Sequence, residues 1–307
     1  MRKPKIAMVG LGGIAQKAYL PILTKELEWE FTGAYTPNAE KRKRICSQYR
    51  ITPFSSLATV MDNSDAVFVH SSTESHFEIV LELLRNGKDV YVDKPLANTI
   101  EEAEKLVEVS EKYGRKLMVG FNRRFAPMYV RLKEEAEQVS AIYIEKHRVN
   151  GVGPNDYRFT MMDDYIHLVD TALWLADGDL ELKYQQVKIN ESKQLRYTQH
   201  VLEAPEGQLV NTSMHRNAGT NLEQVEIVTS GAMLRVKNMQ MMEVEKQDKL
   251  MIEVAPRWDS ILKQKGFEDA VFHFINCVQH DSQPMVDGLA GLKTQLMIER
   301  LIRKYDG

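Results

Sequence analysis

The first 122 residues alternate short apolar runs with segments of helical periodicity, and this alternation constrains the fold more than any other feature of the chain. The clearest apolar runs read KIAMV, FTGAY, DAVFVH, KDVYV and KLMVGF. Unbroken apolar runs are typical of strands covered on both faces. The helical segment TIEEAEKLVEVSEKYG carries a capping-box pattern at Thr99 and Glu102 and ends near Gly114. Strands that alternate with helices predict a parallel, doubly wound sheet.

The pattern changes after about residue 123. Mixed polar and apolar positions in this half indicate antiparallel strands with one face partly exposed to water. Helical spacing reappears in MMDDYIHLVDTALWLA and in two segments near the C-terminus. We therefore expect two domains, residues 1–122 with the parallel sheet and residues 123–307 with an α+β fold. The strand candidates of the second half are AIYIEKHRV, YQQVKIN, QLRYTQHV, QLVNTSMHR, EQVEIVT and AMLRVKN.

Composition argues against several classes of protein. The 40 basic and 43 acidic residues are spread along the chain, so we expect no nucleic-acid partner. Cys46 and Cys277 are far apart, which argues against a disulfide framework or a structural zinc site and fits a reducing cytoplasm. The apolar run at the N-terminus is short and reaches glycines at once, so we expect neither a signal peptide nor a membrane span.

A glycine loop follows the first predicted strand. MVGLGGIA places Gly10, Gly12 and Ala15 in a G-x-G-x-x-A pattern at the start of a helix. Such glycines permit a tight turn and a close approach to a pyrophosphate, which the helix N-terminus attracts. A plain strand–helix turn is the alternative, but the place of the loop in the first strand–helix unit favours dinucleotide binding. The expected contacts are Gly10, Gly12, Gly13 and Ile14.

The end of the second strand lacks the acidic residue that would bind the ribose of NAD. FTGAYTPNAEKRKR places Thr36 and Asn38 there, followed by a basic run at residues 41–44. A hydroxyl, an amide and nearby cations accept a 2′-phosphate that a carboxylate would repel. We therefore predict NADP as cofactor, with NAD as the alternative. Most of the basic run is expected to be an exposed helix face.

The segment VYVDKPLA ends a buried strand at the carboxyl edge of the sheet, where open α/β sheets bind ligands. Pro95 restricts the backbone of Lys94. An ordinary strand end and a positioned functional lysine both fit this pattern.

Four segments together resemble the glucose-fructose oxidoreductase, inositol dehydrogenase and MocA (Gfo/Idh/MocA) family of nicotinamide-dependent enzymes. They are GLGGIAQKAYLPIL, VYVDKPLA, GFNRRFAP and DDYIHLVDTALWL. Within the family the chain most resembles the bacterial MviM-type proteins, which have been called virulence factors. The resemblance implies an N-terminal Rossmann domain, a C-terminal domain on a large open sheet, and assembly as a homodimer or homotetramer.

The resemblance also implies functional residues. The E-K-P motif falls on residues 93–95, with Asp93 replacing glutamate, and the D-x-x-x-H motif falls on Asp163 and His167. The P-N-x-x-H turn falls on residues 72–76, where serine and threonine replace proline and asparagine. The glycine pair that often precedes Asp163 is missing, which changes the expected shape of the substrate pocket. The implied cofactor contacts here are Ser71, Thr73, His76, Asp93, Lys94 and Arg123.

The implied reaction is oxidation of a secondary alcohol on a sugar, cyclitol or related polyol. His167 would take the hydroxyl proton, Asp163 would orient the substrate or the imidazole, and Lys94 would stabilise negative charge on the reacting oxygen. A catalytically silent cofactor-binding regulator is the rival function, and a redox step within sugar rearrangement is a second one.

Several alternatives stay open from the residues themselves. Asp163, His167 and Asp170 stand at i, i+4 and i+7, which predicts one helical face, but a histidine there could be a packing residue. A metal site is disfavoured because no further ligands have suitable spacing. Arg123 and Arg124 could contact the cofactor or form structural ion pairs. The facing of four further cationic or imidazole side chains is not predicted: His147, Arg148, His215 and Arg216.

Overall fold

The apolar runs of the first half form a five-stranded parallel sheet in the computed structural model, which describes residues 2–25 and 28–307. The strand order is β2-β1-β3-β4-β5, and β3 and β4 are buried at every position. The predicted parallel sheet is confirmed. Its strands are β1 Lys5–Val9, β2 Glu30–Tyr35, β3 Ala66–Val69, β4 Asp89–Val92 and β5 Leu117–Val119.

The second half builds an eight-stranded, mostly antiparallel sheet in the order β13-β12-β11-β10-β6-β9-β8-β7. Only β6 and β9, among the pairs of described strands in this sheet, run parallel. The expected α+β fold with a large open sheet is confirmed. The strands are β6 Val139–His147, β7 Glu181–Ile189, β8 Leu195–Glu203, β9 Leu209–His215, β10 Leu222–Thr229, β11 Ala232–Lys237, β12 Met241–Lys246 and β13 Lys249–Val254.

Helices connect and cover the strands. The predicted capping box is present, because the Thr99 hydroxyl accepts from the Glu102 amide and the Glu102 carboxylate accepts from the Thr99 amide, both at 3.2 Å. None of the helices in the described ranges is long and apolar enough to cross a membrane. The α-helices are α1 Leu20–Leu23, α2 Ala39–Tyr49, α3 Leu57–Asp62, α4 His76–Arg85, α5 Ile100–Lys112, α6 Pro127–Glu135, α7 Tyr157–Thr160, α8 Ile166–Leu175, α9 Ile261–Gln264, α10 Phe267–His280 and α11 Gly288–Asp306, with π-helical turns at Ala15–Tyr19 and Met161–Tyr165.

The chain divides into two compact units. The first unit comprises Met1–Phe121 and Phe267–Gln295, and the second comprises Asn122–Gly266 and Leu296–Gly307. The expected boundary at residue 122 had placed Phe267–Gln295 in the second domain, so the observed division differs there. The reason is packing: Phe274 of α10 stacks edge-on against Phe68 and Tyr91 of the parallel sheet, at ring-centroid distances of 5.4 and 5.6 Å.

The eight-stranded sheet has one buried face and one partly exposed face. On β6, Ile142 and Ile144 are buried whereas Tyr143 is 41% exposed. Helix α8 packs against β6 and β9 on the buried face. Side chains at even positions of β6 therefore lie under the helix that carries His167.

Candidate active site

The glycine loop binds the ends of three strands together. Gly10 has φ of +92°, and its amide donates to the Tyr35 carbonyl at 2.8 Å. A Cβ at Gly10 would lie 2.4 Å from the backbone of His70. Because a backbone carbonyl cannot move aside as a side chain can, this position requires glycine.

The next residues of the loop leave room for a ligand. A Cβ at Gly13 would meet no atom within 4 Å, and one at Gly12 would meet only the His70 carbonyl oxygen, at 3.8 Å. Gly13 begins the helix, and Ile14 is 39% exposed. The first amides of a helix have no acceptor within the helix, and its dipole attracts anions. The expected loop residues therefore form a cradle that fits a pyrophosphate.

The end of β2 holds a cation that the sequence prediction did not single out. Arg42 donates to the Thr36 carbonyl at 2.6 Å and lies over the Tyr35 ring, 5.6 Å from its centroid. Asn38, an expected cofactor contact, caps α2 by accepting from the Lys41 amide at 2.8 Å. Its carboxamide oxygen is therefore engaged in the fold, while Arg42 is the member of the basic run tethered at the strand end.

His76 joins the loops that follow β3 and β4. It is buried, with Nδ1 3.0 Å from the Pro95 carbonyl oxygen and Nε2 3.3 Å from the Ser71 carbonyl oxygen. Burial lowers the pKa of His76, so the neutral ring donates one of these bonds at neutral pH. The predicted residues Ser71 and His76 thus lie together, and the His76 ring lies between the backbone that follows β3 and the backbone that follows β4.

The segment after β4 is built around Asp93. Its carboxylate accepts from the Lys94 amide at 2.8 Å and lies 3.7 Å from His70 Nδ1. Burial opposes ionisation of Asp93, but His70, Lys94 and His76 outweigh it and lower the pKa. The Lys94–Pro95 peptide bond is cis. The buried His70 and the partly exposed Asp93 therefore form a polar pair directly beside Lys94.

Two buried tyrosines pack next to His70, the histidine of this pair. Tyr19 stacks on His70 with 3.8 Å between ring centroids, and its hydroxyl lies 3.1 Å from that of Tyr91. The sequence prediction missed His70, Tyr19 and Tyr91. The histidine that follows directly after DAVFV was the available signal, since it stands at the carboxyl end of a strand.

The helix of the second unit that carries Asp163 and His167 begins with a π-helical turn. Asp163 lies within Met161–Tyr165, and α8 starts at Ile166. Asp163 is exposed, His167 is half-buried and Asp170 is buried. The prediction of one face assumed regular α-helical spacing, and the π-helical turn changes that spacing at Asp163.

Asp170 and the two consecutive arginines form ion pairs within the second unit. Arg124 Nη2 lies 2.7 Å and Nε 3.0 Å from the Asp170 carboxylate. Arg123 Nε and Nη2 lie 2.5 and 2.9 Å from the Glu223 carboxylate. Of the two alternatives left open for these arginines, the bidentate contacts support the structural one.

A charged group on the covered face of the eight-stranded sheet was not predicted. Lys146 is 1% exposed and pairs with Asp164, the neighbour of Asp163. Arg216 also pairs with Asp164, and Arg148 Nη2 lies 3.4 Å from it. Burial and Arg123 lower the pKa of Lys146 to about 8. The alternation Ile142, Ile144, Lys146 was the available signal, because it places a lysine on the buried face.

The remaining candidates lie on the other side of the strands. His147 and His215 are directly paired across β6 and β9, and the His215 amide donates to His147 Nδ1 at 3.1 Å. Strand alternation places them on the face opposite Lys146. Among the described residues, no group of three or more histidine, cysteine, aspartate or glutamate side chains could hold a metal ion.

Comparisons with known proteins match both halves of the chain. Residues 4–121 match the model of an oxidoreductase family with an NAD-binding Rossmann fold, GFO_IDH_MocA, and residues 127–247 match the YceM-like C-terminal domain. The chain is 45% identical to the YceM protein of Salmonella typhimurium, over 99% of this chain and 98% of that one.

A solved structure and a second relative are also similar to this chain. The crystal structure of a dehydrogenase, MviM, from Clostridium difficile is 47% identical, with a TM-score of 0.95 over 98% of this chain and 99% of that one. An inositol 2-dehydrogenase from Paracoccus denitrificans is 38% identical over 38% of this chain and 36% of that protein.

Proposed function

Because the chain belongs to the Gfo/Idh/MocA family of oxidoreductases, we propose that it is an NAD(P)-dependent dehydrogenase of a secondary alcohol on a sugar, cyclitol or related polyol. The glycine loop carries this proposal: Gly10 admits no side chain, while Gly12 and Gly13 leave open space before a helix N-terminus. A bound nicotinamide would accept the hydride at C4 as the alcohol carbon becomes a carbonyl.

The side chains would manage the one proton that this reaction releases. In the proposed roles, His167 accepts the hydroxyl proton, because an imidazole titrates close to neutral pH. Asp163 orients the substrate or the imidazole. Lys94 donates a hydrogen bond to the reacting oxygen and stabilises its developing negative charge. Thr73 and Ser71 would contact the cofactor.

The cofactor is proposed to be NADP rather than NAD. Thr36 and Asn38 stand where NAD-binding folds use an acid, and the tethered Arg42 adds a fixed positive charge at the same strand end. A guanidinium binds a phosphate through charge-assisted hydrogen bonds. These features support NADP over NAD, because the two cofactors differ in the 2′-phosphate that these side chains would bind.

Fluorescence titration of NADPH and NADH tests the cofactor proposal. Wild-type protein should bind NADPH more tightly, and Arg42→Gln should weaken NADPH about tenfold while changing NADH less than about twofold. Arg44→Gln, on the exposed side of the same helix, is the matched control and should change neither affinity. Equal affinities of wild-type protein for both cofactors would contradict the proposal.

Turnover of sugars, cyclitols and sugar acids, followed by nicotinamide absorbance, tests the enzymatic proposal. Lys94→Met should keep cofactor affinity and lose turnover by about 100-fold or more. Wild-type turnover in this variant would remove the role assigned to Lys94. Cofactor binding without turnover of any compound would favour the regulator instead.

We also propose that the chain acts in the cytoplasm as a homodimer or homotetramer. The partly exposed face of the eight-stranded sheet supports association, because it presents large side chains such as Tyr143 and Tyr184, at 41% and 51% exposure. Residues 1–122 would supply most of the cofactor contacts, and residues 123–307 would supply most of the substrate contacts.

A further inference from the structure

The charged group around Asp164 carries more positive than negative charge. We name as the cation cluster Arg123, Lys146, Arg148 and Arg216, together with Asp164 and Glu223. Within the part of the chain that the structure describes, its ion pairs join four cations to two carboxylates. Adding Asp163, the chain neighbour of Asp164, still leaves a positive surplus.

The sheet holds this cluster in register. Lys146 of β6 stands directly opposite Glu223 of β10, and its Nζ lies 3.8 Å from that carboxylate. Arg216 follows the end of β9, which pairs with β6. Lys146, Arg148 and Arg216 therefore lie on or directly after the neighbouring strands β6 and β9, whereas Arg123 lies in the 3₁₀ turn Asn122–Phe125. All four form ion pairs with Asp164 or Glu223.

Burial makes the surplus unfavourable unless a counter-charge is added. The side chains of Lys146, Arg123 and Arg216 are 2%, 12% and 14% exposed. Cations removed from water need anions beside them, and two carboxylates do not neutralise these three buried cations, to which the partly exposed Arg148 adds a fourth positive charge. The cluster thus favours an additional anion.

Arg148 is the member that a ligand can reach. Its side chain is 38% exposed, and Nη2 lies 3.4 and 3.5 Å from the two Asp164 oxygens, longer than a strong charge-assisted bond. The loop that follows holds Arg216 in place, since the Gly151 carbonyl accepts from Arg216 Nε at 2.8 Å. A Cβ at Gly151 would lie 3.0 Å from Arg148 Cβ and 3.2 Å from Arg216 Nη2.

The position of the cluster connects it to the substrate. Asp164 adjoins Asp163 and precedes His167 by three residues. Asp163 and His167 are both proposed to act on the substrate. We infer that the cation cluster binds an anionic group of the substrate, a phosphate or a carboxylate, through Arg148 and Arg216. The substrate is then an acidic sugar or cyclitol derivative rather than a neutral polyol. This inference rests on the proposed dehydrogenase function.

Matched neutral and acidic compounds test it. Glucose is compared with glucose 6-phosphate and glucuronate, and myo-inositol with inositol 1-phosphate, each with NADP⁺ and NAD⁺. An acidic member should show a kcat/KM at least about tenfold above its neutral partner, and the two acidic arms separate phosphate from carboxylate. Arg148→Gln should raise KM for the acidic compound about tenfold and so reduce the preference for the acidic over the neutral compound, expressed as the ratio of their kcat/KM values, by a similar factor.

Arg131→Gln is the matched control. The Arg131 side chain is 35% exposed and pairs with Glu135 and Glu253, outside the cluster, so the change should leave both KM values as they are. Preference for the neutral member in every pair, or equal effects of the two substitutions, would overturn the inference while the dehydrogenase function stands.

Calorimetric titration with inorganic phosphate gives a result that does not depend on turnover. Wild-type protein should bind phosphate, Arg148→Gln should bind it about tenfold more weakly, and Arg131→Gln should match wild type. If no compound is turned over, the dehydrogenase function fails and this titration decides alone. Absence of phosphate binding by wild-type protein, or equal binding by both variants, refutes an anion site at the cluster.

Discussion

Strands β3 and β4 of the parallel sheet are buried at every position, whereas β6 of the eight-stranded sheet alternates buried and accessible side chains. A strand covered on both faces has nowhere to place a functional side chain except its end, and Asp93 and Lys94 come directly after β4. The eight-stranded sheet also places charge within its strands, as Lys146 and Glu223 show. The candidate site residues of the parallel sheet thus lie at its carboxyl edge, whereas the cation cluster of the eight-stranded sheet lies on its covered face.

The largest expected effect tests the carboxyl edge of the parallel sheet. Gly10→Ala would force a Cβ to 2.4 Å from the His70 backbone, so we expect a loss of about 5 kcal/mol in the free energy of unfolding and no cofactor binding. Urea titration and cofactor fluorescence measure these. Gly231→Ala, which has φ of +115° and open space around it, is the control and should cost about 1–2 kcal/mol. Similar losses in the two variants would show that the loop tolerates a side chain.

The second largest expected effect tests the covered face of the eight-stranded sheet. Asp164→Asn leaves Lys146 and Arg216 without their shared carboxylate, so we expect a loss of about 4 kcal/mol in the free energy of unfolding. Lys146→Met removes one surplus cation instead and should change it by about 1 kcal/mol or less. Urea titrations of both variants compare them. An equal cost for the two would mean that the cluster is electrically balanced.

Acid should lower the free energy of unfolding through His200. This residue is buried on β8 with Nδ1 2.7 Å from the Tyr165 hydroxyl, and burial lowers its pKa to about 4. Between about pH 6.5, the ordinary value, and pH 4 the unfolded chain binds more protons, so stability is full above pH 6.5 and falls by about 3 kcal/mol as the pH drops.

Urea titrations across this pH range measure that slope. His200→Gln should flatten it, although some slope from His76 remains because burial also lowers its pKa. Asp164 and Glu223, whose pKa values are lowered, contribute only below about pH 4. An unchanged slope in His200→Gln would exclude His200 as its source.

The smallest effect compares two valines. Val69→Ala removes buried methyl groups from β3 and should cost about 2 kcal/mol, because the parallel sheet packs both faces. Val228→Ala, on the accessible face of β10, is only half-buried and should cost about 0.5 kcal/mol. Equal costs in urea titrations would mean that the second face of the large sheet is covered in solution.

The edge of the parallel sheet was largely predictable from the sequence. Local signals suffice there, since Gly10 follows a strand directly and Lys94 precedes a proline at a strand end. The capping box at Thr99 was found for the same reason. In each case the residues that define the feature are close in sequence.

The face of the large sheet was not predictable to the same degree. Arg123 and Glu223 are 100 residues apart, and Lys146 acquires its partners only when β6, β10 and the helix assemble. The placement of Phe267–Gln295 with the first unit has the same cause. Strand order and long-range packing decide these contacts, and a single sequence does not encode them locally.

The π-helical turn at Met161–Tyr165 has a consequence for descent and redesign. Such a turn closes its hydrogen bonds one residue further along than an α-helix, so it amounts to a single inserted residue. Removing one residue would restore regular winding, leave α8 unchanged, and rotate what precedes it by about 100°. The gain or loss of one codon would therefore change the direction in which Asp163 and Asp164 point. Helix α8, which carries His167, would stay the same.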